Sequence, residues 1–369
     1  MNSRKIFSRR NFLASTSCFG AAVAVARYFP LPALAETMAQ DARIAQQPLV
    51  DKGFAAIHKI GTGVYATISD VSRGFDTTCN GGFLVGRDAA LLIEGFRTPA
   101  GAAFQHDTLR SVSSVPVRAA IDTHYHFDHS MGNAHYGADG IPIWAHAKAA
   151  PLIVENYANV QGTDHAGLLG PLQKRLQAAK NDVERGRAQG DLNAYSIVLQ
   201  TVDSTVIALP NHPLDPGKLP ETIDLGGLKA VIETYPGHTP SDIIVRVTEQ
   251  KIVFTGDLLF NAWYPVTFDA NIASWRATLA KFAEFDKDTL FVPGHGQLCG
   301  QEGIALLRAV FDDLAEQAEK LYRAGVPVED AAQQYVVPEK FKNLPIFAWS
   351  FCISPTIAKL YKDLKARGA

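Results

Sequence analysis

Residues 124 to 129 read His124-Tyr125-His126-Phe127-Asp128-His129, three imidazoles and one carboxylate within six positions. The strand-like run Val117-Arg118-Ala119-Ala120-Ile121-Asp122-Thr123 delivers them. His and Asp are seldom buried without partners, and desolvating four such groups together costs several kcal/mol unless something holds them. A divalent cation does so, because neutral imidazole nitrogens and carboxylate oxygens are its ordinary ligands. In an extended loop alternate side chains share a face, so His124 and His126 can serve one ion while Asp128 and His129 turn toward a second. The competing reading is a polar surface loop that is rich in His.

Three further stretches each place one ligand-type residue just past an apolar, strand-like run. They are Tyr235-Pro236-Gly237-His238-Thr239-Pro240, Phe254-Thr255-Gly256-Asp257 and Val292-Pro293-Gly294-His295-Gly296. Loops at strand ends are where a rigid scaffold carries functional groups, and Gly237 and Gly256 let the backbone approach closely. Together with the first motif, the set resembles the metallo-β-lactamase superfamily in its HxHxDH signature, third His, Asp and last His, in that order. The resemblance runs from about Gly61 to Gly300.

That resemblance implies an α/β fold, a four-layer αβ/βα sandwich, here with a helical insertion and C-terminal helices. It also implies a dinuclear centre: His124, His126 and His238 on one ion, Asp128, His129 and His295 on the other, and Asp257 bridging. The expected cofactors are two Zn2+ per chain, with iron or manganese as alternatives. Such a pair brings a water to the hydroxide form near neutral pH, and Asp128 would hold it in line and accept its proton as the catalytic residue. The implied activity is hydrolysis of an ester, thioester or lactone carbonyl. Members that act as β-lactamases usually lack the bridging Asp, which sets a β-lactamase-like amide hydrolase second. Sulfur dioxygenases of the superfamily use one iron and part of this set; a flavodiiron-type reductase typically has Glu at the second His; nuclease members carry an extra domain and a basic surface. A non-catalytic metal-binding protein is the rival from another class. Where the family commonly has an Asp after the second hairpin strand, this chain has Glu94, to which no role is assigned.

The first 35 residues read as an export signal rather than as part of the fold. Ser8-Arg9-Arg10-Asn11-Phe12-Leu13 has the twin-arginine form, an Ala/Val stretch follows to Val25, and Ala33-Leu34-Ala35 is a small-x-small cleavage site. Gly20 and Arg27 interrupt the stretch too soon for a convincing span, so no stable membrane insertion is expected, a retained N-terminal anchor being the alternative. Cleavage removes five basic residues and no acidic one, taking the formal charge from −2 to −7. That balance gives no hint of nucleic-acid binding. The expected partners are therefore a small-molecule substrate and the twin-arginine export machinery, the expected location is the periplasm, and oligomeric state stays open. Cys79, Cys299 and Cys352 would remain, and no disulfide is predicted.

Residues 36–300 are read as the metallo-β-lactamase-like domain and 301–369 as a helical extension. Within the domain, residues 36–60 show no strong period, and strands are expected from Gly63: 64–68, a hairpin of 82–85 with 90–93, 228–233, a hairpin of 243–247 with 251–254 that ends at Gly256-Asp257, and 289–292. Helices are expected over 99–113, 148–156, 172–187, 272–284, 301–324, 328–335 and 355–365. Gln189-Gly190-Asp191 is expected to break the third, and 210–217 to form a Pro-rich loop. The segment of about 147–220 either covers the mouth of the site or decorates the periphery. Trp263, beside the expected ligands, is either a substrate wall or core. His135 and His146 could each be a ligand in principle, the competing reading being a hydrogen-bonded structural His beside a strand, and the remaining His58, His106, His165 and His212 fall in no constellation.

Overall fold

The computed structural model of the chain describes residues 41–368, so the export signal, its cleavage site and Cys18 lie outside the described residues. The first sheet takes its strands in sequence order: β1 (Val50–Asp51), β2 (Ala55–Gly61), β3 (Val64–Ser69), β4 (Gly81–Val85), β5 (Ala90–Ile93), β6 (Val117–Ile121), β7 (Ile143–His146) and β8 (His212–Leu214). The second comprises β9 (Glu221–Asp224), β10 (Lys229–Thr234), β11 (Ile243–Val247), β12 (Ile252–Phe260) and β13 (Leu290–His295), in the order β13-β12-β11-β10-β9. Pairings from β5 through β8, and of β12 with β13, are parallel; the others are antiparallel. Parallel neighbours need crossovers, and the helices supply them: α1 (Pro99–Val112), α2 (Phe127–Ser130), α3 (Asn133–Ala138), α4 (Ala149–Ile153), α5 (Ala166–Gln177), α6 (Asp182–Ser204) and α7 (Ile272–Phe282). After β13 come α8 (Gln301–Arg323), α9 (Val328–Gln334) and α10 (Trp349–Arg367).

The four layers follow from period-two alternation. Val64, Leu84, Leu91 and Ile93 of the first sheet meet Ile232, Val245, Phe254 and Val292 of the second. The outward neighbours Phe83, Leu92 and Ala120 pack under Ala102, Phe104 and Leu109 of α1. On the opposite side Val253 and Phe291 lie under Trp275 and Leu279 of α7 and Leu307 and Phe311 of α8. Each fully buried Val, Leu, Ile or Phe among them contributes roughly 1.5–3 kcal/mol, so the sandwich is held chiefly by these three interlayer cores.

Several expectations need correction. Strands begin at Val50 rather than Gly63, because β2 buries Ala55, Ile57, His58 and Ile60 and its pairing with β3 shifts register between Lys59 and Gly61, so no clean period of two shows. Gly190 does not break a helix: α6 runs straight through it, nothing lies within 4 Å of where its Cβ would be, and Asp191 is buried against Arg175 and the Ser350 amide. The interruption falls instead between α5 and α6, where the Asn181 side chain caps α6 by accepting from the Glu184 amide at 2.9 Å. The expected loop at 210–217 contains β8; Pro213 is tolerated there because β8 is an edge strand. β12 continues past Asp257 to Phe260, with irregularities in its pairing with β13 around Gly256. Finally, α10 starts at Trp349, so Pro355 lies within it. The carbonyl that Pro355 cannot use, that of Phe351, accepts from the Thr267 amide at 2.8 Å. This bond fixes the 265–270 loop against the C-terminal helix.

Cys79, Cys299 and Cys352 are buried and free. Among the described residues no helix is long and apolar enough to cross a membrane.

Candidate metal centre

The loop after β6 carries His124, His126, Asp128 and His129, the last two on the single turn α2. From the other sheet, His238 follows β10, Asp257 lies within β12, and His295 ends β13. The site therefore sits where both sheets meet at one end, each sheet supplying part of it. All seven sequence-predicted residues are brought together. His124, His126, His238 and Asp257 form one group of convergent ligand atoms, and Asp128, His129 and His295 another, the atoms of each lying within 4.8 Å of one another. Asp257 faces both: its Oδ1 is 3.2 Å from His129 Nε2 and 3.4 Å from His295 Nε2, and its Oδ2 is 3.3 Å from His238 Nε2 and 3.9 Å from His124 Nε2. Asp128 Oδ2 lies 3.4 Å from His295 Nε2.

These atoms fit metal ions better than they fit one another. His129 Nε2 and Asp257 Oδ1 are buried and close, yet neither makes a hydrogen bond, and His124 Nε2 is buried without a partner as well. Orphaned polar atoms at such depth are costly, and a cation satisfies them together. The electrostatics divide in the same way. Burial drives His124 well below the ordinary imidazole range and His238 down to about 3, which leaves both rings neutral, the form in which imidazole binds metal. Burial also opposes charge on His129, but Cys79, Glu94, Asp257 and Asp128 raise its proton affinity well above normal. His295 is likewise raised, against its burial, to about 9 by Asp257 and Asp128. Burial pushes against charge on Asp257 too, yet His295 and His129 hold its carboxyl well below the usual carboxylate range. The carboxylates thus make this end of the cluster attractive to cations.

Several supporting groups were assigned no role from the sequence. Glu94 is buried, its Oε1 accepts from Thr123 Oγ1 at 2.6 Å, and the same oxygen is 3.2 Å from His129 Nδ1. It holds the loop that the shorter Asp would hold in the family pattern. Asp242, four residues past His238, accepts from the His238 amide at 2.8 Å and from the Thr239 amide; burial lifts its carboxyl to about 7. An acid that closely follows a His-Thr-Pro turn was a usable signal. Asp269 gave none: its Oδ2 accepts from His126 Nε2 at 2.9 Å and also from the Tyr125 hydroxyl. Asn80 donates to the Pro293 and Gly296 carbonyls at 2.9 and 2.7 Å, which fixes the His295 loop. Gly256 has φ 51, and a Cβ there would come within 2.3 Å of Thr123 Oγ1, so only glycine lets β12 approach the metal loop.

Around the rim, the Phe268 ring lies 4.9 Å from that of His126, and Trp263 lies 6.0 Å from His295 while also packing on the core. The segment of 147–220 backs the His-rich loop: Tyr157 and Val202 share a buried cluster with Tyr125 and Met131. Thr201 of α6 accepts from Arg97 Nε at 2.7 Å.

A two-sheet αβ/βα sandwich with a His/Asp cluster able to hold metal ions at one end of the sheets defines a class of metal-binding folds. The family model of the metallo-beta-lactamase superfamily matches residues 74–295, and the chain belongs to that superfamily of metal-dependent hydrolases. An uncharacterized protein of Mycobacterium tuberculosis is 31% identical over 107 residues, which is 27% of this chain and 48% of that protein. An acyl-coenzyme A thioesterase of Gallus gallus is 24% identical over 190 residues, 50% of this chain and 58% of the thioesterase. The chain thus spans about half the length of these curated relatives. A solved structure of a double mutant of the sec-alkyl sulfatase PisA1 aligns with a TM-score of 0.57 at 17% identity, over 84% of this chain and 50% of the sulfatase, a likeness of fold.

Proposed function

We propose that this protein is an exported, dinuclear metal-dependent hydrolase of an ester, thioester or lactone, working in the periplasm. The observation that carries the reading is Asp257, whose two oxygens face the two ligand groups separately, within 3.2–3.4 Å on one side and 3.3–3.9 Å on the other. His124, His126 and His238 would hold one ion, Asp128, His129 and His295 the other, with Asp257 between them. Divalent ions, zinc first among them, would supply Lewis acidity and bring a water toward ionisation near neutral pH. The chain's own residues do the rest. Asp128, its Oδ2 turned to His295, orients the attacking water and takes its proton at Oδ1. Asp269 and Glu94 keep His126 and His129 in their tautomers and orientations. Phe268 and Trp263 flank the cluster with apolar surface suited to the acyl part of a substrate and keep bulk water from that side.

Asp257 favours this reading over β-lactam hydrolysis, and likeness to a thioesterase supports the thioester. Export is supported by Ser8-Arg9-Arg10-Asn11-Phe12-Leu13; doubling Arg9→Lys with Arg10→Lys should leave the protein in the cytoplasm. The enzymatic test combines elemental analysis of protein purified without added metal with a panel of ester, thioester, lactone and β-lactam substrates. The expected result is at least two ions per chain, two of them lost when Asp257 and His295 are replaced together, and turnover of a carbonyl substrate that falls by about 10²–10⁴-fold in a folded, metal-loaded Asp128→Asn variant. A single iron per chain with oxygen consumption on sulfur compounds would overturn it in favour of a dioxygenase.

A further inference from the structure

On the outer helical layer, where α1 lies against α3, a second set of ligand-type atoms converges. His106 of α1 places its Nδ1 3.2 Å from His135 Nε2 and 3.4 Å from Asp139 Oδ2. His135 and Asp139 are four residues apart on α3 and its C-terminal cap, which puts them on one helix face. We propose that His106, His135 and Asp139 form a separate structural site for a divalent transition metal of the zinc type.

The spacing argues for this over a simple hydrogen-bonded bridge. Ligand atoms about 2.0–2.1 Å from a tetrahedral ion lie about 3.3–3.4 Å from each other, close to both distances seen. A single His106 Nδ1 proton can serve only one of its two neighbours, whereas one ion serves all three groups. His106 is 6% exposed, and Nδ1 is the ring nitrogen that faces both His135 and Asp139. Burial, the neighbouring His135 and the Arg110 guanidinium all hold His106 below the ordinary imidazole range, against Asp139 and Asp107, which keeps the ring neutral for coordination. Two imidazoles and one carboxylate are a borderline donor set that suits zinc and its neighbours rather than calcium or magnesium. The Asp139 side chain is 49% exposed, which leaves the outer coordination position to water.

The ion would join two helices that support the main cluster. From α3, Asn133 donates to Asp122 Oδ2 at 2.7 Å and the Tyr136 hydroxyl donates to the Glu94 carbonyl at 3.0 Å. From α1, Gln105 donates to the Ile93 carbonyl at 3.0 Å. Clamping α1 to α3 therefore steadies the Glu94 backbone from both sides.

The test is equilibrium dialysis of the full protein, as purified, against Zn2+, with bound ions counted per chain in wild type, His135→Ala and Asp139→Ala. Both variants alter residues of α3 and its C-terminal cap that are not fully buried, and circular dichroism checks their fold. Wild type should bind one more Zn2+ per chain than either variant, and Zn2+ should raise its thermal midpoint by more than it raises theirs. The difference between proteins is the readout, so the result stands however many ions the main cluster takes. Equal stoichiometry and equal Zn2+-induced stabilisation in all three would overturn the proposal and leave a hydrogen-bonded bridge.

Discussion

Asp269 reaches His126 from a loop without any ligand-like spacing, and its Oδ2 takes both the His126 Nε2 contact, at 2.9 Å, and the Tyr125 hydroxyl. That leaves His126 Nδ1 directed into the cluster, 3.0 Å from His238 Nε2. A carboxylate behind a metal-binding imidazole raises its basicity and fixes its tautomer, and losing one typically weakens metal binding 10–100-fold. Asp269→Asn keeps the shape and removes the charge, so we expect zinc affinity, measured by chelator competition, to fall by about tenfold or more with the fold intact. Unchanged affinity would show that Asp269 has no positioning role. The seven cluster residues were legible because His and Asp at these intervals, each after a strand, have few other uses. Asp269 was not legible, since only tertiary folding brings Phe268 and Asp269 over the loop. Glu94 was visible as a departure from the family pattern, but its use depended on whether the longer arm could reach Thr123 and His129, which is a matter of geometry.

The elements show where local sequence and tertiary context disagree. Strongly periodic segments, such as β10, β11 and α8, lie where the pattern puts them, because a continuous apolar face leaves one way to bury it. Weak or mixed segments are decided elsewhere. Pro355 sits inside α10 because Thr267 takes over the freed carbonyl of Phe351, a partner from a distant loop. Gly190 sits inside α6 because the helix is anchored on either side, by Ala188 and Ala194 in buried positions and by Asp191 against Arg175. This placement has a testable consequence. A helical glycine with open space at its Cβ, as Gly190 has, costs roughly 0.5–1 kcal/mol relative to Ala. Gly190→Ala should therefore raise the urea midpoint by the equivalent of about 0.5–1 kcal/mol without changing activity. A neutral or destabilising effect would mean that the helix is interrupted there after all.

For the molecule as a whole, the cluster lies across the division between the two sheets. His124, His126, Asp128 and His129 belong to the first, while His238, Asp257 and His295 belong to the second. The apolar interlayer core joins the same two sheets, so metal binding across the division should be coupled to folding. Without cations, His124 Nε2, His129 Nε2 and Asp257 Oδ1 are buried polar atoms with no hydrogen-bond partner, and the carboxylates must find compensating charge in protons on His129 and His295. A ligand that binds only the folded state stabilises it by about 2.7 kcal/mol when present at a hundred times its dissociation constant. Stripping the protein with a chelator should accordingly lower its thermal midpoint, and zinc should restore it in a concentration-dependent way. Asp257→Asn separates this coupling from simple charge relief. It keeps the side-chain volume but removes the carboxylate shared by both groups, so the zinc-induced rise should shrink while the chelated protein loses less stability than wild type does on chelation. If chelation and zinc leave the wild-type midpoint unmoved, the two halves are held by their apolar core alone and the cluster does not couple metal to folding.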